Sequence, residues 1–232
     1  MQHVSPKNQQ VYYITVATVP NKVLDRIKTK VALNGEKIHV LAQEENRRIG
    51  WESHQNFGIK LREVAKFLNL DTLGPDDIVI FTDAYDVAYY GNQVEAVERF
   101  RSFYKPIIFG SEKYCNPDPE LATKYPNCSE EHEFPYLNSG MYIGYVWALQ
   151  YCLRDYIYED RDDDQRFWTQ QYFTNTDLIG LDYENRLFLN TSGMDMSKFK
   201  VINGHASYRE DEQRPIFVHV NGPDKSLIEE LV

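Results

Sequence analysis

Residues 76–91, DDIVIFTDAYDVAYYG, restrict the possible folds more than any other stretch of this chain. Residues 78–81 form a continuous apolar run, with a Gly-Pro pair shortly before it and a Gly-Asn pair after it. A short run of this kind is typical of a strand that is buried on both faces in the middle of an α/β sheet. The sequence therefore predicts an α/β fold with this strand at its centre.

Two aspartates follow the predicted central strand. Asp83 and Asp86 are three residues apart, so their carboxylates converge only if the chain turns between them. Open α/β sheets bind ligands at the carboxyl ends of their strands, and paired carboxylates there suit Mg²⁺ or Mn²⁺ bound to substrate phosphates. The alternative is one aspartate that caps the strand and another that forms a turn. The spacing alone does not choose between the two interpretations.

The rest of the chain alternates between strand and helix patterns. Strands are predicted at 11–17, 37–41, 106–110, 137–145 and 216–220, with short pieces within 178–189. Helices are predicted at 21–33, 59–68, 93–103, 147–157 and 166–173. The opening β-α-β unit indicates a Rossmann-like nucleotide-binding half. The lack of GxGxxG and P-loop sequences argues against NAD cofactors and P-loop NTPase chemistry.

Two irregular segments are expected to border a binding cleft. Residues 47–58 are polar with a single tryptophan, and we expect a loop at a nucleotide site. Residues 111–135 contain four prolines, and an irregular stretch of this length in a compact domain is usually functional or mobile. We therefore assign this second stretch to the acceptor side of the cleft.

Composition narrows the class of protein. The 232 residues are 42% apolar and carry a formal net charge of −10, which favours a globular domain and argues against non-specific nucleic-acid binding. The most apolar stretch, residues 137–153, includes polar residues and glycines, so no membrane span is predicted. We expect an N-terminal tail over 1–10 and a single domain over 11–232.

The three cysteines are too few for a disulfide scaffold. Cys115 and Cys128 flank one loop and are able to pair, whereas Cys152 lies in an apolar helical pattern and is expected to be buried. No secretory signal is visible in the first residues. Reduced thiols and a cytoplasmic location, in a host cell if the protein is viral, are therefore the default expectation.

Three polar positions have both a functional and an ordinary interpretation. Lys60 lies at the start of a predicted helix. Its functional interpretation is contact with a phosphate or base, and its ordinary interpretation is a solvated surface lysine. Asn138, at the start of a predicted strand, belongs either to a site or to an ordinary turn. His219, at a strand end, is a possible metal ligand or a packed core residue.

Four segments together resemble a known family. FTDAYDV, YLNSGMYIGY, DDDQRFWTQQY and HVNGPDK occur in this order, and at similar spacing, in the glycosyltransferase domain of collagen lysyl hydroxylases. The resemblance extends to TVAT at 15–18, YCNPDPELATKYP at 114–126 and LDYENRLF at 181–188. It covers residues 11–228 and corresponds to that domain alone, without the iron-dependent hydroxylase part.

The resemblance implies a GT-A glycosyltransferase fold, a Rossmann-like mixed sheet flanked by helices. It further implies Mn²⁺ and UDP-glucose, with transfer of glucose to galactosylhydroxylysine of collagen or a collagen-like polypeptide, with retention of configuration. A homodimer is possible. The implied metal ligands are Asp83, Asp86 and His219. The implied contacts to uridine, nucleotide or diphosphate are Tyr85, Thr18, Lys60, Asn221, Gly222 and Lys225. Asn138, Asp163, Asp164 and Gln165 are implied to line the sugar and acceptor side.

The acceptor loop departs from the family, because the family's Cys-Trp-Pro is Cys115-Asn116-Pro117 here. Asn116 is therefore expected at the acceptor but without an aromatic stacking surface.

Three adjacent carboxylates stand before the predicted helix at 166–173. One of them is expected to cap that helix, and Asp162 or Asp163 is the better placed. We assign Asp163 and Asp164 to positioning rather than covalent attack. Alternative functions are a hydroxylysine galactosyltransferase, another UDP-sugar transferase, or an inactive module that binds collagen or carbohydrate.

Overall fold

The computed structural model describes residues 9–50, 56–126, 132–209 and 214–232. The strands are β1 (Val11–Val16), β2 (Ile38–Leu41), β3 (Ile78–Thr82), β4 (Val87–Tyr89), β5 (Ile107–Glu112), β6 (Tyr136–Tyr145), β7 (Ile179–Asp182), β8 (Phe188–Asn190), β9 (Phe199–Ile202), β10 (His205–Tyr208) and β11 (Phe217–His219). The α-helices are α1 (Lys22–Leu33), α2 (Gly58–Leu68), α3 (Gln93–Arg101), α4 (Val146–Leu153), α5 (Asp164–Thr174) and α6 (Ile228–Leu231). Short 3₁₀ helices span Gln43–Glu45, Pro119–Lys124 and Met196–Lys198.

A six-stranded mixed sheet forms the centre of the protein, in the order β2-β1-β3-β6-β5-β7. β1 is parallel to β2 and β3, β6 is antiparallel to β3 and β5, and β7 is parallel to β5. The predicted central strand is β3, and all five of its residues are buried. The predicted α/β class and the central position of this strand are confirmed.

Side chains of β3 alternate between two apolar cores, as the two-residue period of a strand requires. Ile78 and Ile80 point into a core built from α1, α3 and a smaller sheet. Val79 and Phe81 point into a core built from α2, α4 and α5. Helices therefore cover both faces of the sheet, which explains why β3 is apolar at every position.

The smaller sheet has three strands in the order β4-β11-β8. β11 is antiparallel to β4 and places His219 opposite Val87, the residue after Asp86. It is parallel to β8 and places His219 opposite Asn190. This register brings the last strand of the chain next to the aspartate turn after β3. The three-residue strand β4 was not predicted.

Some predicted helix boundaries are wrong. The fourth helix was expected over 147–157 but ends at Leu153. Ile157, the last residue of the predicted helix, is 84% exposed and contributes nothing to the core. The fifth helix begins at Asp164 rather than Arg166, because the Asp163 side chain accepts a hydrogen bond from the Arg166 N–H and caps the helix.

Cys152 is buried, as predicted, and Cys115 is a free thiol. Cys128 lies outside the described residues, as do residues 1–8 of the predicted tail and residues 51–55 of the predicted nucleotide loop. Within the described part of the chain, no helix is long and apolar enough to cross a membrane.

Candidate active site and metal centre

Asp83, Asp86 and His219 meet where the two sheets adjoin. One ligand atom from each residue lies within 4.8 Å of the other two. The His219 Nε2 atom is 3.3 Å from an Asp86 carboxylate oxygen and 3.9 Å from an Asp83 oxygen. Two of the ligands follow β3 and the third ends β11, so residues far apart in sequence converge here. The chain turns between the two aspartates, as convergence of the DxxD pair required.

Hydrogen bonds fix the orientation of the His219 ring. Its Nδ1 atom is 2.9 Å from the Asn190 side-chain oxygen and 3.2 Å from the Asn138 side-chain oxygen. The Asn190 amide nitrogen donates to the Ser111 carbonyl, which leaves its oxygen as the acceptor facing His219. Since both neighbours are acceptors, Nδ1 carries a proton and the Nε2 atom faces the two aspartates. This arrangement is typical of histidines that bind metals.

Gly140 makes room for this ring. A Cβ atom at this position would lie 2.4 Å from the His219 Cε1 atom, far inside van der Waals contact. The Gly140 carbonyl also accepts a hydrogen bond of 2.7 Å from the Asp83 N–H. The glycine of the NSG sequence therefore positions two of the three ligands.

The donor set fits a divalent cation that prefers oxygen and nitrogen ligands. Two carboxylates and one imidazole are suitable ligands for Mn²⁺ or Mg²⁺. Adjacent ligands on such an ion stand about 3 Å apart, given metal–ligand distances of roughly 2.1 Å. The His219 to Asp86 separation is already close to that distance, whereas the wider separations in the group, up to 4.8 Å, would have to shorten around the ion.

Two lysines contact the carboxylates of Asp83 and Asp86, which together with His219 we call the metal-side cluster. The Lys60 ammonium is 2.7 Å from an Asp83 oxygen and 3.4 Å from an Asp164 oxygen. The Lys225 ammonium is 2.6 Å from an Asp86 oxygen. Burial lowers the pKa of Lys60, but the charges of Asp164 and Asp83 outweigh burial and hold that pKa above its usual value. Lys60 is therefore a permanently charged, largely buried cation.

Neighbouring charges also determine the pKa of Asp86. Burial raises the pKa of Asp86, but His219 and Lys225 reverse this effect and hold the pKa well below its usual range. The neighbouring positive charges therefore favour the ionised form of Asp86, which is the form that binds a cation.

Tyr85 and Thr18 lie together beside the metal-side cluster. The Tyr85 hydroxyl accepts hydrogen bonds from the Thr18 and Val19 N–H groups, at 2.9 and 3.1 Å. The Thr18 hydroxyl is buried and has no hydrogen-bond partner among the residues that the structure describes. A buried hydroxyl without a partner is costly, so a ligand group that bonded to it would remove that cost. The structure thus fixes the Tyr85 ring and leaves one polar group near it unsatisfied.

Asn221 and Gly222 follow β11. The Asn221 side chain donates to a Glu112 carboxylate oxygen at 3.0 Å and accepts from the Ser192 N–H at 2.8 Å. Gly222 has φ +86°, a conformation that residues with a Cβ rarely adopt. The Asn221 side chain therefore anchors the turn that leads to Lys225, and Gly222 allows the backbone conformation that the turn requires.

Glu112, at the end of β5, was missed by sequence reasoning. Its carboxylate accepts hydrogen bonds from the side chains of Asn138, Gln165 and Asn221, at 3.0, 2.6 and 3.0 Å. Burial raises the pKa of Glu112, while the three amide donors oppose that shift. This one carboxylate links the predicted acceptor residues to the predicted diphosphate turn.

The acidic residues before α5 have separate roles. Asp163 caps the helix, as described above. Asp164 is directed into the site, where it accepts a hydrogen bond of 2.9 Å from the Ser139 hydroxyl and faces Lys60. Burial raises the pKa of Asp164, and Lys60 only partly offsets this effect. The structure brings Asp164, and not Asp163, next to Lys60, which in turn contacts Asp83.

Asn116 and Gln165 also lie together. The Gln165 amide nitrogen donates to the Asn116 backbone carbonyl at 3.0 Å. Its side-chain oxygen accepts from the Ser139 N–H at 2.9 Å. The Asn116 side chain is exposed, and the peptide bond to Pro117 is cis. The structure therefore brings Asn116, Gln165 and Ser139 together at the start of α5.

Comparison with known proteins gives a consistent result. A family model described as "PLOD GT domain" matches residues 7–232. Procollagen-lysine,2-oxoglutarate 5-dioxygenase 1 of Pongo abelii is 31% identical over 219 residues, which cover 91% of this chain and 30% of that protein. A multifunctional procollagen lysine hydroxylase and glycosyltransferase of Caenorhabditis elegans is 30% identical over 236 residues, which cover 94% of this chain and 31% of that protein.

A viral relative matches a shorter part of the chain. An uncharacterized protein of Acanthamoeba polyphaga mimivirus is 33% identical over 191 residues, which cover 76% of this chain and 38% of that protein. The chain therefore spans between 30% and 38% of the length of these three relatives.

Proposed function

The chain belongs to the PLOD GT domain family, and from that membership we propose that it moves glucose from UDP-glucose to galactosylhydroxylysine. The acceptor is collagen or a collagen-like polypeptide. The mixed sheet covered by helices agrees with the GT-A fold of such domains, and we take residues 11–232 as one domain. Membership of this family makes the chain a glycosyltransferase domain; the donor sugar, the metal and the acceptor are the proposal.

The convergence of Asp83, Asp86 and His219 is the observation that carries the proposal. These residues would hold Mn²⁺, which supplies positive charge at the diphosphate when bound. The Nε2 atom of His219 faces the two carboxylates because Asn190 and Asn138 fix the other ring nitrogen. Ligand orientation of this kind supports a metal site rather than an ordinary buried ion pair.

Residues around the metal ligands account for donor binding. Lys60 and Lys225 place two ammonium groups beside the metal-side carboxylates, where they stabilise charge that develops on a leaving diphosphate. Tyr85 would contact the uridine, and the unpartnered Thr18 hydroxyl offers the nucleotide a hydrogen bond. Asn221 and Gly222 shape the turn that presents Lys225.

The acceptor side orients the attacking hydroxyl. Asn138, Asp164 and Gln165 form a connected polar surface through Ser139 and Glu112. We assign Asp164 to binding and orientation of the acceptor or donor sugar, without a covalent intermediate. Retention of the anomeric configuration then follows from placing the acceptor on the face from which the diphosphate leaves.

A donor and acceptor screen tests this proposal. The protein is incubated with Mn²⁺, with either UDP-glucose or UDP-galactose, and with collagen peptides that carry hydroxylysine or galactosylhydroxylysine. Mass spectrometry should show one added hexose only with UDP-glucose and the galactosylated peptide. Addition to plain hydroxylysine would identify a galactosyltransferase instead. Binding of the peptide without transfer or UDP-sugar hydrolysis would identify an inactive binding module.

A further inference from the structure

An ion-pair network outside the candidate active site joins the segment after β2 to the turn before α5. The Arg47 guanidinium contacts both carboxylate oxygens of Asp160, with the Nη1 to Oδ2 distance at 2.7 Å. Its Nε atom donates to Glu45 at 3.0 Å. A planar guanidinium that meets a carboxylate at two points fixes orientation as well as distance.

Residues of α2 and of the turn complete this network. Arg62 contacts Glu45, and its guanidinium lies 4.9 Å from the centre of the Tyr158 ring. The Tyr158 hydroxyl donates to Asp160 at 2.6 Å. We call Glu45, Arg47, Arg62, Tyr158 and Asp160 the Arg47 clamp.

The backbone of α2 packs closely beneath the clamp. The Gly58 N–H donates to the Asp160 carbonyl at 3.2 Å. A Cβ atom at Gly58 would lie 1.9 Å from the Glu159 carbonyl oxygen, so a larger residue would push the turn away from the helix. The first turn of α2 and residues 159–160 are therefore held in direct contact.

Both chain segments continue directly into the active site. Lys60 lies two residues after Gly58, and Asp164 lies four residues after Asp160. Their side chains meet at 3.4 Å, and Lys60 also contacts the metal-side Asp83. A shift of the turn relative to α2 would therefore change the position of Asp164 relative to the metal-side cluster.

We propose that Arg47 and Asp160 are positioning residues, which hold the acidic turn against α2 so that Asp164 faces Lys60 and the reacting sugar. The proposal rests on the proposed function. It assigns a role to residues that do not touch the reacting groups. The Arg47 and Asp160 side chains are 34% and 40% exposed, and ion pairs with such exposure contribute little to stability. The clamp therefore matters for geometry more than for folding.

The test compares Arg47→Gln and Asp160→Asn with wild type in glucosyl transfer, Mn²⁺-dependent UDP affinity and melting temperature. We expect acceptor kcat/KM to fall on the order of tenfold, since small misplacements reduce oriented reactions strongly. UDP affinity should stay within about twofold and the melting temperature nearly constant. Arg47→Lys keeps the positive charge but lacks the planar guanidinium that meets the carboxylate at two points. It should therefore retain only part of the wild-type transfer rate.

Two further measurements separate positioning from a merely structural role. In an Asp164→Asn background, Arg47→Gln should cause no further loss, because the clamp acts through Asp164. Amide hydrogen exchange over residues 157–164 should increase in Arg47→Gln. Arg99→Gln is the matched control: Arg99 is 25% exposed and pairs with Glu95 on α3. That control should leave transfer unchanged.

The outcomes are distinct. If wild type transfers no sugar with any donor, the proposed function fails, and the role of the clamp fails with it. If wild type transfers and Arg47→Gln transfers equally well, only the clamp proposal is overturned. Additive losses in the Arg47→Gln/Asp164→Asn double variant, or a loss of transfer that matches a loss of folded protein, also overturn it.

Discussion

The metal side and the acceptor side of this site are built differently. On the metal side, Asp83, Asp86 and His219 are attached to ends of buried strands in two adjoining sheets. On the acceptor side, Asp164 and Gln165 begin a helix, and Asn116 lies in the long loop between β5 and β6. Strand registers therefore determine the first group, whereas caps, loops and ion pairs determine the second.

This difference indicates which side tolerates sequence change. A strand end cannot shift without changing the register of a whole sheet, so the sheets themselves fix the positions of Asp83 and His219. Loops tolerate substitution and carry much of the functional variation in a fold. The replacement of the family's tryptophan by Asn116 falls on the side where such change is least disruptive to folding.

The largest expected effect is on the metal side. Asp86→Ala removes one proposed metal ligand and leaves Lys225 without its carboxylate partner. We expect Mn²⁺-dependent UDP binding to be abolished, because a three-ligand site loses a hard oxygen ligand. Calorimetry with UDP and Mn²⁺ measures this effect, and Asp195→Ala on the exposed surface serves as the control. Mn²⁺-dependent UDP binding that survived in Asp86→Ala would remove the basis of the metal assignment.

The second largest effect is on the acceptor side, in Asp164→Asn. Transfer should fall at least tenfold, about 1.4 kcal/mol in the barrier, with Mn²⁺-dependent UDP affinity close to wild type. Equal losses of transfer and UDP affinity would place Asp164 on the metal side and contradict the division between the two regions.

Stability measurements distinguish this loss of transfer from unfolding. Because burial raises the pKa of Asp164 in the folded protein, its ionisation disfavours folding once the pH exceeds the usual carboxyl range. The Asp164→Asn variant has no ionisable group at this position and so lacks this unfavourable contribution to folding. Its melting temperature relative to wild type should therefore be higher at neutral pH than at pH near 4. A relative decrease over that range would show that the ionised form stabilises the fold.

The sequence predicted β3 and the position of Asp83 and Asp86 at its end because their determinants are local. The apolar run at 78–81 and the aspartates after it carry the signal for β3 and for two ligands. His219 was identifiable as a ligand only with the family resemblance, since a lone histidine at a strand end is ambiguous. Its position opposite Val87 depends on β4, which has three residues and no distinctive pattern.

The residues that connect the two sides were not predictable individually. Glu112 stands at the carboxyl end of a buried strand, the same signal that identified Asp83, but the three amides that bind it come from distant segments. Asn190 contacts His219 only because β8 and β11 are parallel neighbours. Arg47 and Asp160 are 113 residues apart, and no local pattern indicates that they pair.

A smaller effect is expected for Asp163→Ala. Since the Asp163 side chain caps α5 through the Arg166 N–H, its loss should reduce stability by about 1 kcal/mol. Transfer per folded molecule should remain near wild type, in contrast to Asp164→Asn. Denaturant unfolding and transfer assays on the same preparation measure both quantities. Normal stability combined with a large loss of transfer would show that Asp163 acts on substrate and that the cap is incidental.

The smallest expected effect is a gain of acceptor affinity in Asn116→Trp. The Asn116 side chain is exposed, while its backbone carbonyl is held by Gln165 at the acceptor side of the site. An aromatic ring introduced there would stack on sugar or peptide, and one such contact contributes about 0.5–1.5 kcal/mol. The KM for galactosylhydroxylysine peptide should therefore fall several-fold, with kcat and UDP affinity nearly unchanged. Asn116→Leu is the matched control, because it adds apolar area without a stacking face. An equal gain in both variants would attribute the effect to general hydrophobicity, and no gain in either would show that this loop does not contact the acceptor. If neither variant gains affinity, the acceptor-binding surface would have to be sought around Asp164 and Gln165 instead.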